Sequence, residues 1–198
     1  MSTEEKVPDP EGAKPAAEEP PPPSKGPNLF TADVVLRGLL FASTVTAIVV
    51  LVTSNQTEET SVPGVPFPVP VEAKFNNSPA FVYFLVALSV ACLYSIITAL
   101  ASISVVLKPD FSASFLLFFV LWDVVMLGIM ASAIGTAGGV GYIALKGNSH
   151  VRWAKICHVY DKFCQHIGAS VAVSFLAAFV LILLITLSIV SLHKKIPQ

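Results

Sequence analysis

Residues 115–130 read "FLLFFVLWDVVMLGIM", and Asp123 is the only charged residue among these sixteen. The apolar run around them lies between Asp110 and Lys146 and contains no other charge. A helix needs roughly 20 consecutive apolar residues to cross the hydrocarbon core of a bilayer. The run exceeds that length, so it predicts a transmembrane helix that carries one carboxylate inside the membrane.

Three further runs have the same character. They lie between Asp33 and Glu58, where Arg37 is the only charge, between Lys74 and Lys108, and between Lys162 and Lys194. A buried core helix explains one such run but not four, because too little polar chain remains to cover them. Transmembrane strands are shorter, about 10 residues, and alternate in polarity. The chain is also only 13% charged, whereas a typical soluble domain is about 25% charged.

The predicted fold class is therefore an all-α membrane protein, a four-transmembrane-helix bundle with a disordered N-terminal tail. The spans are expected at about 31–53, 80–107, 112–144 and 167–192, within a membrane domain of residues 29–192. Residues 1–28 are acidic and hold eight of the fifteen prolines, a composition that cannot bury enough apolar surface to fold. Residues 193–198 form a second, short tail.

The orientation is predicted from the two long loops. With four spans, both termini lie on one side, and the basic residues of the two sides barely differ in number. Asn55 begins the sequence "NQT", a candidate glycosylation site in the first long loop. Cys157 and Cys164 lie in the other long loop, on the same side as Asn55. Glycans and disulfides both belong outside the cell, which favours cytoplasmic termini.

Arg37 and Asp123 are the charges that lie well inside predicted spans. Asp123 lies about 16 Å along its helix, where an isolated carboxylate costs at least a few kcal/mol. Spans one and three run in the same direction, so the two charges reach similar depths, and we predict an ion pair between parallel neighbouring helices. Two alternatives remain: Arg37 pairs with Asp33 on its own helix, or its side chain runs to the membrane surface.

Ala131, Gly135 and Gly139 recur every four residues in span three. Small residues at this spacing let helices approach closely in lipid. We predict that they are helix-packing residues, and the pattern is equally consistent with packing inside the bundle and with packing between copies.

Cys157 and Cys164 are seven residues apart. On one continuous helix they would be too far apart for a disulfide, so an oxidised pair requires the intervening chain to turn. We expect this disulfide if the loop is outside. The alternative is zinc binding by Cys157, His158, Cys164 and His166, although their spacing matches no common zinc motif. Cys92 lies within span two and is expected to be a packing residue.

The sequence contains no phosphate-binding loop, nucleophile elbow or metal-binding helix motif, so neither an enzyme nor a cofactor is predicted. A net charge of −1 with no basic cluster gives no indication of nucleic-acid binding.

The segments "VVLRGLLF" around Arg37, "VLWDVVML" around Asp123 and "RWAKICHVYDKFC" at 152–164 resemble the Casparian strip membrane protein-like family of land plants. The resemblance covers about residues 30–192. That family is similar to the four-span MARVEL proteins, which also organise membranes. The first outer loop, with "SVPGVPFPVPVEAKFNNSP", departs from the motif of the founding members, so the chain resembles the broader branch of the family.

The resemblance implies a plasma-membrane protein with both termini in the cytoplasm. It also implies a homodimer or higher homo-oligomer, hetero-oligomers with other family members, and a scaffold in the lipid bilayer that positions cell-wall-modifying enzymes. The alternative is a small transporter or channel with Arg37 and Asp123 in its pathway. A water-filled cavity leading to Asp123 would indicate a transporter, and a closed core would indicate a scaffold.

Overall fold

The structure is a computed structural model that describes residues 29–60, 66–107 and 113–195. Four long helices account for most of these residues. They are α1 (Leu29–Val52), α2 (Pro79–Leu107), α3 (Ala113–Lys146) and α4 (Asp161–Lys195). Each of the four is long and apolar enough to cross a membrane. The predicted four-span membrane protein is therefore confirmed. The predicted disordered tail at 1–28 lies outside the described residues. So does the connection at 108–110, which the sequence predicts to be a minimal loop between spans two and three.

The helix ends follow from local chemistry. Pro79 begins α2, where its fixed φ suits the first helical position and its missing N–H removes no helical hydrogen bond. Gly147 follows α3 with φ of +69°, the left-handed conformation that commonly ends helices. Helix α4 begins at Asp161, six residues before the expected start of span four at 167. The expected start was set by the first residues of the apolar run. A helix can continue through polar residues, so α4 begins before that run.

The four helices form a closed ring in which consecutive helices contact each other and α4 contacts α1. Consequently α1 and α3 lie diagonally across the bundle. The core between the helices is mainly apolar. Its fully buried large side chains include Leu40, Phe84, Leu88, Met130 and Leu181. The Ser170 hydroxyl donates a 2.8 Å hydrogen bond to the carbonyl oxygen of Ala47, which fixes the closing contact between α1 and α4.

The loop between α1 and α2 forms an antiparallel hairpin of two strands, β1 (Gln56–Thr60) and β2 (Val69–Ala73). The sequence of this loop has prolines at 63, 66, 68 and 70, which exclude a helix and predict only an extended segment. Gln56 pairs with Ala73 and Glu59 pairs with Pro70. Pro70 is tolerated because a two-stranded sheet leaves one side of each strand unpaired, and a proline there removes no ladder hydrogen bond.

The two long loops meet at one end of the bundle. The Tyr160 hydroxyl donates a hydrogen bond of 3.2 Å to the carbonyl oxygen of Val71 in the hairpin. The backbone N–H of Phe163 donates one of 2.8 Å to Oε1 of Gln56. The Phe163 ring also packs edge-on against Phe81, with centroids 6.1 Å apart. These contacts place the hairpin over the helix ends, next to the start of α4.

Candidate functional site

One group of linked charged and polar residues inside the bundle comes from three helices. Arg37 and Asp33 lie one turn apart on α1, Asp123 lies on α3, and Tyr94 and Ser102 lie on α2. We call these five residues the intramembrane cluster. Arg37 is 2% exposed and Asp123 is fully buried. The Arg37 side chain therefore does not run to the membrane surface.

Arg37 contacts both acids of the intramembrane cluster. Its Nε donates a 3.0 Å hydrogen bond to Oδ2 of Asp33, and its Nη2 lies 3.7 Å from Oδ2 of Asp123. The two pairings considered as alternatives are thus present together in one guanidinium. The sequence predicted an ion pair between parallel neighbouring helices. Because α1 and α3 are instead diagonal, the Arg37–Asp123 ion pair crosses the bundle. A planar guanidinium with several donors can bridge two carboxylates in this way, whereas a lysine ammonium cannot hold the same geometry.

Hydroxyl groups of α2 complete the intramembrane cluster. The Tyr94 hydroxyl donates a 2.6 Å hydrogen bond to Oδ1 of Asp123. The Ser102 hydroxyl donates one of 2.7 Å to Oδ2 of Asp33. The guanidinium of Arg37 also lies over the ring of Phe119, 5.7 Å from its centroid, within range of a cation–π interaction. Helix α2 therefore binds both acids, and the cluster links three of the four helices.

Two buried atoms of the cluster have no hydrogen-bond partner among the described residues. They are Nη1 of Arg37 and Oδ2 of Asp123. At 3.7 Å, the approach of Nη2 to this oxygen is an ion pair without a hydrogen bond of ordinary length. The direct hydrogen bond from Tyr94 thus supports Asp123 more closely than the charge of Arg37 does.

The predicted helix-packing residues do not pack inside the bundle. Ala131, Gly135 and Gly139 are all exposed on the outer face of α3. A Cβ atom built on Gly135 or Gly139 would meet nothing within 4 Å. Gly138 and Gly141 are the glycines of α3 that face α4, against Val171 and Ile167 respectively. Of the two interpretations of the stripe, the outward one fits this geometry.

Cys157 and Cys164 form a disulfide with their Cα atoms 5.6 Å apart. A turn at residues 157–159 brings them together before α4 begins. Since the two sulfurs are bonded to each other, they are not available as thiolate ligands for zinc. Asn55 is exposed between α1 and the hairpin, at the same end of the bundle as the disulfide. Its glycosylation stays a prediction. Cys92, by contrast, is a partly buried free cysteine on α2.

Comparison with known proteins identifies the family of the chain. The model of the Casparian strip membrane protein domain matches residues 26–180. The chain belongs to this family. It is 60% identical over 171 residues to CASP-like protein 1D1 of Populus trichocarpa, covering 86% of this chain and 87% of that protein. It is 57% identical to CASP-like protein 1D2 of Glycine max, with coverages of 89% and 91%. The 1D2 protein of Arabidopsis thaliana is 55% identical, with coverages of 89% and 92%.

The family match confirms the resemblance found in the sequence. The matched region contains Arg37, Asp123 and the disulfide, and thus most of the four-helix bundle. The relatives are named as CASP-like proteins, and none of these names denotes an enzyme. No solved structure matches the chain.

Proposed function

We propose that this CASP-like protein is a non-enzymatic, oligomerising scaffold of the plasma membrane, with both termini in the cytoplasm. It organises a membrane domain and positions cell-wall-modifying machinery there. The observation that carries this proposal is the exposed stripe of Ala131, Gly135 and Gly139. A flat helix surface with no partner inside its own bundle suits close packing against a second copy in the bilayer.

The burial of the intramembrane cluster supports a scaffold over a transporter. A transport pathway needs polar groups that water can reach from a cavity. Asp123 is fully buried and Arg37 nearly so, and both have partners on other helices. The cluster therefore serves as an internal tie between helices in this proposal, and the outer surface carries the function.

The orientation rests on the outer-loop chemistry. The disulfide and the sequon at Asn55 lie at one end of the bundle. Both belong to an oxidising, glycosylating compartment. Placing that end outside leaves the N-terminal tail and the end of α4 in the cytoplasm.

Fluorescence recovery after photobleaching tests the proposal. A fluorescent full-length protein in plant cells is expected to be patchy and largely immobile. Replacing Gly135 and Gly139 together with leucine should disperse the patches and raise the mobile fraction several-fold. The matched control is Gly168→Leu on α4, an exposed glycine whose Cβ also meets nothing within 4 Å. Free diffusion of the wild-type protein in its native cells would contradict the scaffold proposal.

A further inference from the structure

The two outer loops carry opposite charges. Residues 53–78 hold three glutamates and one lysine, for a net charge of −2. Residues 146–162 hold four basic residues and one aspartate, for a net charge of +3 with histidine neutral. We call these the acidic hairpin and the basic loop. Their charged side chains are mostly exposed, including Glu59, Arg152 and Lys155.

These opposite charges do not neutralise each other within the chain. Lys74 pairs with Glu72 inside the acidic hairpin itself. Among the described residues, no ion pair includes Arg152, Lys155 or Lys162. The hydrogen bonds that join the acidic hairpin to the basic loop and to the start of α4 involve no charged group. They run from Tyr160 to Val71 and from Phe163 to Gln56. Each loop thus leaves its charge available to another molecule.

The two loops connect opposite pairs of helices at the same end of the bundle, and they touch each other where Tyr160 and Phe163 contact the hairpin. The acidic hairpin joins α1 to α2, and the basic loop joins α3 to α4. In the closed ring of helices these are opposite edges. Copies in one membrane share the same orientation, so the acidic hairpin of one copy can approach the basic loop of the next at the same height above the bilayer.

From this arrangement we infer that the acidic hairpin of one copy binds the basic loop of another, which forms a head-to-tail contact between chains. The inference rests on the proposed function and extends it. A contact of the α3 stripe with itself is symmetric and closes at two copies. A head-to-tail contact uses two different surfaces and can continue without closing. Together the two contacts let a small protein build an extended patch.

The strength of the contact decides how it is tested. A single exposed ion pair contributes very little to the free energy of binding. Confinement to one membrane raises the effective concentration of neighbours, so several weak pairs suffice to join copies. Such pairs are screened over about 10 Å at 0.1 M salt. The head-to-tail contact should therefore be sensitive to salt, whereas the packing of small residues on α3 should not.

The experiment uses labelled full-length protein in phosphatidylcholine liposomes and counts copies per cluster by single-molecule photobleaching. One variant combines Glu58→Lys with Glu59→Lys, and the other combines Arg152→Glu with Lys155→Glu. Wild type is expected to form large clusters in dilute salt and roughly dimers in concentrated salt. Each variant alone should stay near dimers at both salt concentrations, and an equal mixture of the two should recover large clusters. Recovery on mixing cannot come from damage within one chain.

The control exchanges the pair inside the acidic hairpin, Glu72→Lys with Lys74→Glu, which leaves the net charge unchanged, and it should cluster like wild type. Wild-type dimers that never grow, or variants that cluster as wild type does, would overturn the head-to-tail contact and leave the α3 proposal intact. Clusters that appear only after polygalacturonate is added would assign the basic loop to an acidic polymer and also overturn it. Wild-type monomers under all conditions would instead contradict the proposed function, which requires an oligomer.

Discussion

The hydroxyl of Tyr94 on α2 donates a 2.6 Å hydrogen bond to the fully buried carboxylate of Asp123 on α3. This is the shortest contact that Asp123 makes with the polar groups of the cluster, since Arg37 approaches only to 3.7 Å. A charged group in hydrocarbon is tolerated when direct donors replace water. Tyr94 therefore shares with Arg37 the role of stabilising Asp123 in the membrane.

Replacing Tyr94 with phenylalanine should destabilise the bundle while keeping its shape. The ring stays, but Asp123 loses its hydrogen bond from Tyr94. Hydrogen bonds to charged groups contribute about 1.5–3 kcal/mol. Reversible unfolding in detergent micelles measures this loss. Tyr83→Phe is the control, because the Tyr83 hydroxyl makes only an exposed, 3.3 Å contact with Ser132 and should contribute almost nothing. Equal stability of the two variants would show that Tyr94 does not support Asp123.

Removing the charge of Arg37 should be more harmful. Arg37→Ala leaves the carboxylates of Asp33 and Asp123 without their cation, and breaking a buried pair in this way costs about 3–5 kcal/mol. Asp123→Asn should cause similar harm. Arg37→Lys should lie between these variants and wild type, because it keeps the charge but cannot reach both acids. Expression level, trafficking and unfolding of the variants measure the effect, and normal folding of Asp123→Asn would contradict the structural role of the pair.

The charge exchange between these two positions has an additional requirement. Arg37→Asp with Asp123→Arg restores a pair across the bundle. The new acid at position 37, however, lies one turn from Asp33, which accepts a hydrogen bond from Arg37 in the wild-type protein. Like charges at this spacing repel. The exchange should therefore recover only part of the lost stability. Adding Asp33→Asn should recover more, as measured by the same unfolding assay, and an exchange that recovers all of it without this third change would argue against the Asp33 contact.

The number of spans and the two buried charges were predictable because hydrocarbon excludes charge. Long uncharged runs, and the rare charges within them, can be read directly from the sequence. The partners on α2 were not predictable, since tyrosine and serine occur on any face of a membrane helix. Tyr94 did carry a weak signal, because a tyrosine in mid-span needs a partner for its hydroxyl. The diagonal relation of α1 and α3 depends on the order in which the four helices pack around the ring. The residue pattern of each helix does not show which other helices it contacts.

The hairpin and the outward stripe show the same limit. The prolines at 66, 68 and 70 excluded a helix, but strand pairing depends on a register that only the partner strand supplies. For Ala131, Gly135 and Gly139, spacing alone placed three small residues on one face of α3. Which side of the bundle that face meets depends on the apolar residues around it, such as Ala133 and Ala137, which take the inward face.

The disulfide predicts the outcome of thiol labelling. In intact cells without reductant, Cys157 and Cys164 should not react with a membrane-impermeant reagent, and after an impermeant reductant both should react. Cys92 lies within α2 and serves as the internal reference, reacting only after denaturation. Reaction of both outer cysteines without reductant would show that the disulfide is absent and that the loop lies outside the cell. Reaction that requires permeabilisation would reverse the orientation.

Removing the disulfide should loosen the outer end more than the membrane core. Closing a loop this short contributes about 2–3 kcal/mol by restricting the unfolded chain. Cys157→Ser with Cys164→Ser should release Tyr160 from Val71 and so free the hairpin. Faster amide hydrogen exchange confined to residues 56–60 and 69–73, with unchanged exchange in the helices, is the expected result. Unchanged exchange in the hairpin would mean that the disulfide does not hold it.

Gly147 provides the sharpest test of the outer-loop geometry. Its φ of +69° is a conformation in which a side chain costs about 1–2 kcal/mol. A Cβ there would also lie 2.8 Å from the carbonyl oxygen of Trp153, which is held in place by its hydrogen bond from Asn148. Gly147→Ala should therefore lower the free energy of unfolding by at least about 2 kcal/mol.

The matched change on α4, Gly168→Ala, should act in the opposite direction. Gly168 lies inside a helix with open space around it, and alanine there gains about 0.5–1 kcal/mol over glycine. The two substitutions add the same methyl group, so only the local backbone and its neighbours distinguish them. Unfolding in detergent micelles should shift to lower temperature for Gly147→Ala and to slightly higher temperature for Gly168→Ala. Shifts of the same sign would show that the left-handed turn after α3 is not present in the folded protein.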